Sequence, residues 1–154
     1  MENEDQNPLH GPHGGIWELL SAFKAFNEKI LEPYVQKQGL TFLQSRVLMG
    51  IRHGKYTTVG GMAKHASLFQ GNASTLCKRL EQQGFLNRER STADERVVNL
   101  VLTEKGIAAT TNIARYMQSL NAFIEKNAQE DVRALRDGAK AFLKIVDLLT
   151  EVNF

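Results

Sequence analysis

The chain has 154 residues, 42% of them hydrophobic and 23% charged, enough to bury one sizeable core and too little for two independent ones. Three prolines and twelve glycines exclude a collagen-like or low-complexity chain, and the charge content fits an ordered protein. No apolar run approaches the roughly 20 residues that cross a bilayer, and the acidic opening Met1-Glu2-Asn3-Glu4-Asp5 lacks a signal peptide's basic start, so a cytoplasmic protein without a membrane partner is expected.

A single cysteine, Cys77, cannot form an internal disulfide, and no Cys/His cluster has zinc-ligand spacing, so packing is expected to hold the fold without metal or cofactor. The net charge of +2 is unevenly spread. Residues 41–103 carry nine basic groups against four acids, a net +5, which leaves −3 for the rest. That asymmetry suggests a polyanion-facing middle, although a charged stretch is also what an ordinary solvated face shows.

The first dozen residues, with Pro8, Gly11 and Pro12, read as a flexible lead-in. From Ile16, the positions Ile16, Leu19, Leu20, Phe23, Phe26 and Ile30 recur at three- and four-residue steps, as one buried stripe of a long helix requires. Pro33 is expected to kink or end that helix near Tyr34. Thr41 is placed to cap a second helix carrying Phe42, Val47, Leu48 and Ile51, which ends at His53-Gly54-Lys55. Thr57 or Thr58 caps a short third helix through His65, and a turn at 66–69 leads into a fourth, roughly Gln70 to Gln83, stopped by Gly84.

After Gly84 the period becomes extended: Phe85 to Arg90, a polar turn from Ser91 to Glu95, then Arg96 to Leu102, a β-hairpin with a charged tip. Thr103 caps the next helix, which runs to about Gln129, with Glu104 at the positive end of its dipole. A last helix from near Asp131 places Val132, Leu135, Ala139, Phe142, Val146 and Leu149 on a narrow stripe, which suits either a coiled-coil seam or an ordinary core face. Two helical arms flanking a small domain with its own core favour a partner chain.

The order helix, short helix, turn, longer helix, hairpin is the winged helix-turn-helix pattern. The expected fold is mainly α with a small β-hairpin wing. Residues 40–103 form the DNA-binding domain, 1–39 a lead-in and dimerisation helix, and 104–154 C-terminal dimerisation helices. On the fourth helix Ala73, Leu76, Cys77 and Leu80 share one face, while Gly71, Asn72, Thr75, Lys78 and Gln82 share the other, flanked by Ser74 and Arg79. A solvated amphipathic helix reads the same way. The hairpin tips the balance towards double-stranded DNA, because asparagine, threonine and lysine suit the major groove while arginines on a turn suit the minor groove. The candidate DNA-contacting residues are Gln70, Gly71, Asn72, Ser74, Thr75, Lys78 and Arg79 on the helix and Arg88, Arg90, Asp94 and Arg96 on the wing. Asp94, two residues before Arg96, is placed either to hold its guanidinium in a fixed pose through a bidentate pair or to form a plain surface ion pair worth under about 1 kcal/mol.

The run Asp94-Glu95-Arg96, five residues, then Leu102-Thr103-Glu104-Lys105-Gly106 resembles the wing signature of the multiple antibiotic resistance regulator (MarR) family. Leu40-Thr41, Gln44 and Val47-Leu48 are similar to that family as well. So are Thr58-Val59-Gly60 with Ala63, and Lys78-Arg79-Leu80-Glu81 with Gly84-Phe85-Leu86. The resemblance covers about residues 16–150. It implies a triangular homodimer whose fourth helix enters the major groove, whose Arg96 enters the minor groove, and whose ligand cleft, between the dimerisation and DNA-binding parts, often takes a phenolic or other small aromatic anion. It thus implies a transcriptional regulator acting on a pseudo-palindromic operator. The chain departs from the family at Phe69, where a capping Ser or Thr is common and Ser67 is a substitute; at Thr75, where a base-reading arginine is common; and at Gly61, a second glycine in a short helix that costs about 1 kcal/mol against alanine.

Other candidates carry less. Cys77 on an inward face reads as inert packing rather than a redox sensor or hydrolase nucleophile. His10 and His13 sit in a Gly/Pro-rich segment without neighbouring acids, which argues against metal. His53 and His65 suit solvated or capping roles, and Trp17, Phe23 and Phe26 suit a core more than an aromatic-ligand pocket. No catalytic constellation stands out. The remaining rival is a winged-helix adaptor that binds protein instead of DNA.

Overall fold

The computed structural model describes residues 14–65, 70–92, 94 and 96–151. Its elements are α1 (Gly14–Phe26), a π-helical segment (Asn27–Leu31), α2 (Glu32–Lys37), α3 (Phe42–Arg52), α4 (Val59–His65), α5 (Gln70–Gln82), β1 (Leu86–Arg90), β2 (Val98–Leu102), α6 (Glu104–Asn127) and α7 (Gln129–Glu151). The order is that of a winged helix-turn-helix extended by helices at both ends. The expected turn at 66–69, with Ser67 and Phe69, lies outside the described residues, as do His10 and His13.

Pro33 does not end the first helical arm. The hydrogen-bond ladder widens just before it, with the Glu32 N–H on the Asn27 carbonyl, and the helix resumes as α2 through Lys37. A regular turn would push the proline ring into the carbonyl four residues back; the wider turn relieves that clash, and the missing N–H falls in the first turn of α2, where a donor is least needed.

Thr41 caps α3 as expected, and reciprocally: its hydroxyl accepts the Gln44 N–H at 3.2 Å while the Gln44 side chain accepts the Thr41 N–H at 2.8 Å. Thr58, rather than Thr57, caps α4, accepting the Gly61 N–H at 3.0 Å. A Cβ at Gly61 would stand 3.1 Å from that hydroxyl, so the second glycine of this short helix leaves room for its own cap. β1 and β2 pair antiparallel, Leu86 opposite Leu102 and Arg90 opposite Val98. The residues before α4 join the sheet edge, with the Leu100 N–H on the Thr57 carbonyl at 2.7 Å and a bridge from Thr58 to Asn99.

The chain divides between Ile113 and Ala114 into two compact units, and every buried residue among those described belongs to the first. Its core gathers Val47, Leu48 and Ile51 of α3, Met62 of α4, Ala73, Cys77 and Leu80 of α5, Leu86 and Leu100 of the hairpin, and Ala109 and Ile113 of α6. The stripe on α1 expected to be buried is exposed within the single chain, Leu20 at 45% and Phe23 at 61%, and no residue of α7 is buried.

The start of α6 is fastened to the end of α5 and the root of the wing. Thr103 caps it by accepting the Gly106 N–H, donates its hydroxyl proton to the Gly84 carbonyl at 2.6 Å, and donates its own N–H to the Phe85 carbonyl at 3.2 Å. Lys105 reaches the Gln83 carbonyl at 2.7 Å and lies 4.3 Å from the Phe85 ring centre. Gly106 lies against the Phe85 carbonyl so closely that a Cβ there would overlap backbone, which cannot swing away as a side chain can. Gly106→Ala should therefore cost about 2 kcal/mol despite alanine's better helix propensity, measured by urea denaturation; a stability equal to or above wild type would contradict the close approach.

Candidate nucleic-acid interface

Helix α5 is divided lengthwise. Ala73, Cys77 and Leu80 are fully buried and Leu76 half-buried, whereas Gly71, Asn72, Thr75, Lys78, Arg79 and Gln82 are exposed and Ser74 is half-buried. Gln70 opens the helix; its side chain is outside the described set. The first turn of α5 holds no acidic residue. The Thr75 hydroxyl donates to the Gly71 carbonyl at 2.9 Å.

The wing arginines differ in setting. Arg88 is half-buried near the root: its backbone N–H donates to Glu81 Oε1 at 3.0 Å, its Nη1 lies 3.7 Å from Glu81 Oε2, and its Nε is buried without a hydrogen-bond partner among the described residues. Arg90, at the far end of β1, is exposed. The turn is closed by the Ser91 N–H on the Val97 carbonyl and the Val97 N–H on the Asp94 carbonyl, both 2.9 Å. Asp94 does not pair with the Arg96 guanidinium as the spacing suggested; its Oδ1 accepts the Arg96 backbone N–H at 2.9 Å. A carboxylate two residues upstream closes a tight turn more readily than it reaches the end of a long side chain. It thus fixes the backbone from which Arg96 projects, and among the described residues the exposed guanidinium enters no ion pair.

Ser74 of α5, Thr58 to Gly60 at the start of α4, and Arg88, Arg96, Val97 and Val98 of the wing line an open cleft of about 280 Å³. Helix and wing thus present polar and cationic groups around a common recess. Among the described residues no group of three or more His, Cys, Asp or Glu could hold a metal ion, and no helix is long and apolar enough to cross a membrane.

The family described as Transcriptional regulator SarA/Rot matches residues 29–113. The organic hydroperoxide resistance transcriptional regulator of Bacillus subtilis is 30% identical over 126 residues, 82% of this chain and 85% of that protein. A mutant MarR from E. coli solved with operator DNA superposes with a TM-score of 0.73 at 24% identity, over 89% of this chain and 99% of that one. The chain belongs to the MarR family. Staphylococcus aureus MarR, solved with salicylate and kanamycin, shares the fold of this MarR-family chain with a TM-score of 0.68 at 21% identity, over 86% of this chain and 93% of that one. The chain is thus a DNA-binding transcriptional regulator, and its family and relatives are regulators rather than enzymes.

Sequence reading missed two features of this MarR-family domain. Arg52, in the last turn of α3, sends Nη1 to the Thr110 and Thr111 hydroxyls at 2.8 and 2.6 Å and to the Ile107 carbonyl at 3.1 Å, fastening α3 to α6. No local pattern signals a contact across 55 or more positions. Glu81 as partner of Arg88 was more accessible, since Arg88 is in phase with inward-facing Leu86 on the same strand.

Tyr56, part-buried with its hydroxyl near the Arg46 and Val47 carbonyls, has its pKa raised, chiefly by burial, with Arg46 opposing. Cys77 lies 3.6 Å from the Met62 sulfur, and burial pushes its thiol up to about 11, with Arg88 opposing and Glu81 adding a little. The native protein at pH 8 should therefore label with a maleimide or disulfide reagent at least tenfold more slowly than the denatured chain, as followed by intact mass. Equal rates would contradict the inward placement.

Proposed function

We propose that this regulator represses transcription as a homodimer, each copy setting α5 in the major groove and Arg96 in the adjacent minor groove of a pseudo-palindromic operator with half-sites about 10 bp apart. The carrying observation is the lengthwise division of α5 beside a wing arginine whose backbone is held by Asp94 and whose guanidinium enters no ion pair among the described residues. Asn72, Thr75 and Ser74 supply base-facing groups, Lys78, Arg79 and Arg90 phosphate contacts, and Gly71 the close backbone approach. Arg88, tied to Glu81, aligns the wing with α5, and Asp94 aligns Arg96. Gln70 borders the same face.

Residues 40–103 serve as the DNA-binding domain, and 1–39 with 104–154 as the dimerisation parts. Of the seventeen large apolar residues left exposed among those described, thirteen lie on α1, the π-helical segment or α7, where an area of that kind calls for cover. A second copy offers matching cover and supplies the symmetry a palindrome needs. A small aromatic or phenolic anion releases the operator by favouring a dimer geometry that misplaces the two recognition helices, a population shift. The salicylate held by the S. aureus relative supports that ligand class. No catalytic step is involved, and the protein acts in the cytoplasm, with its DNA.

Arg96→Ala should weaken operator binding about tenfold and reduce the slope of log affinity against log salt by about one, measured by fluorescence anisotropy across a salt series. Unchanged values in both would refute the minor-groove role. Sedimentation equilibrium at micromolar concentration should give twice the mass of the chain, and a lone subunit there would overturn the homodimer.

A further inference from the structure

We infer that Thr75 selects a thymine by its 5-methyl group, giving each half-site a fixed thymine that cytosine or uracil cannot replace. This rests on the proposed placement of α5 in the major groove. A threonine hydroxyl has one proton to give, and that of Thr75 is given to the Gly71 carbonyl one turn back, at 2.9 Å. A guanine edge offers the major groove two acceptors and asks for a donor, which Thr75 no longer has. What the side chain still offers outward is a methyl group and the lone pairs of its oxygen.

The surroundings favour the methyl. Gly71, on the same face and four residues earlier, has open space where a Cβ would stand, with nothing within 4 Å. The bare backbone of Gly71 beside Thr75 leaves open surface on that face, where a thymine methyl can lie against the threonine methyl without meeting a side chain at position 71. Asn72, three residues before Thr75 and exposed on the same face, carries an amide that can both accept from and donate to adenine, so neighbouring positions read two features that A·T pairs present and G·C pairs do not. The lone pairs of Thr75 alone would accept from the amino group of cytosine or adenine, and the experiment separates that alternative.

A duplex is first recovered with the wild-type protein from a randomised library, and each thymine is then replaced singly by deoxyuridine, which removes the methyl and leaves base pairing intact. One position per half-site should lose about fourfold in affinity, the factor equivalent to ~0.8 kcal/mol for one buried methyl. Thr75→Val, which keeps a methyl and lacks the hydroxyl, should retain that sensitivity. Thr75→Ser, which keeps the hydroxyl and lacks the methyl, should bind thymine and deoxyuridine duplexes alike. A scan without any sensitive thymine, or equal sensitivity in the serine variant, overturns the inference. If Asn72→Ala still shifts the selected sequence while the deoxyuridine scan is flat, α5 reads DNA and only the role of Thr75 falls; if no sequence is enriched from the library, the groove reading falls and this inference with it.

Discussion

Three elements converge on Gly84 and Phe85, and the placement of α5 and the wing depends on that corner. Thr103 binds both residues, through its hydroxyl to the Gly84 carbonyl and its N–H to the Phe85 carbonyl, while its side chain also caps α6. The corner is therefore the end of α5, the root of β1 and the beginning of α6 at once. Such close packing has few alternative arrangements, since buried carbonyls must keep partners and Gly106 meets the Phe85 carbonyl with no side chain between them to absorb a shift. Arg52 adds a second fastening one turn further along α6, on Thr110 and Thr111.

That frame explains why neighbouring cations have different fates. Arg88 lies in the inward phase of its strand and meets Glu81 from α5, so its charge is largely used in holding the hairpin against the helix. The worth of such a pair lies in orientation rather than stability, because partly exposed ion pairs contribute about 1 kcal/mol or less. Arg96 lies past the turn, where its neighbour Asp94 secures only the main chain. One arginine is tied to α5 and the other enters no ion pair among the described residues, although the two line the same cleft.

The helix order, the hairpin and the three threonine caps were legible in the sequence because each has a local signature: a period, a cap or a change of period. The inward and outward faces of α5 were legible for the same reason, and Cys77 was placed correctly by its step from Ala73 and Leu80. The Asp94 contact was misjudged, because spacing fixes which residues are near but not whether a carboxylate meets a backbone N–H or a side chain. The apolar stripe of α1 was legible, but the domain core does not cover it: periodicity shows that a face is apolar, not which molecule covers it. Contacts such as Arg52 with Thr110 span 58 positions and have no local signature at all.

The π-helical turn at Asn27–Leu31 sets the facing of every residue before it relative to the domain. One surplus residue in a helix advances the azimuth of the next turns by about 100°. Ile16 to Phe26 and Val35 consequently serve different surfaces although they belong to one nearly continuous rod: the earlier residues are presented outward, and Val35 is sunk in the domain core. The rod works as a phase shifter. A single-residue deletion within that turn would leave composition and apolar content almost unchanged, yet it would rotate the N-terminal stripe to another quarter of the compass.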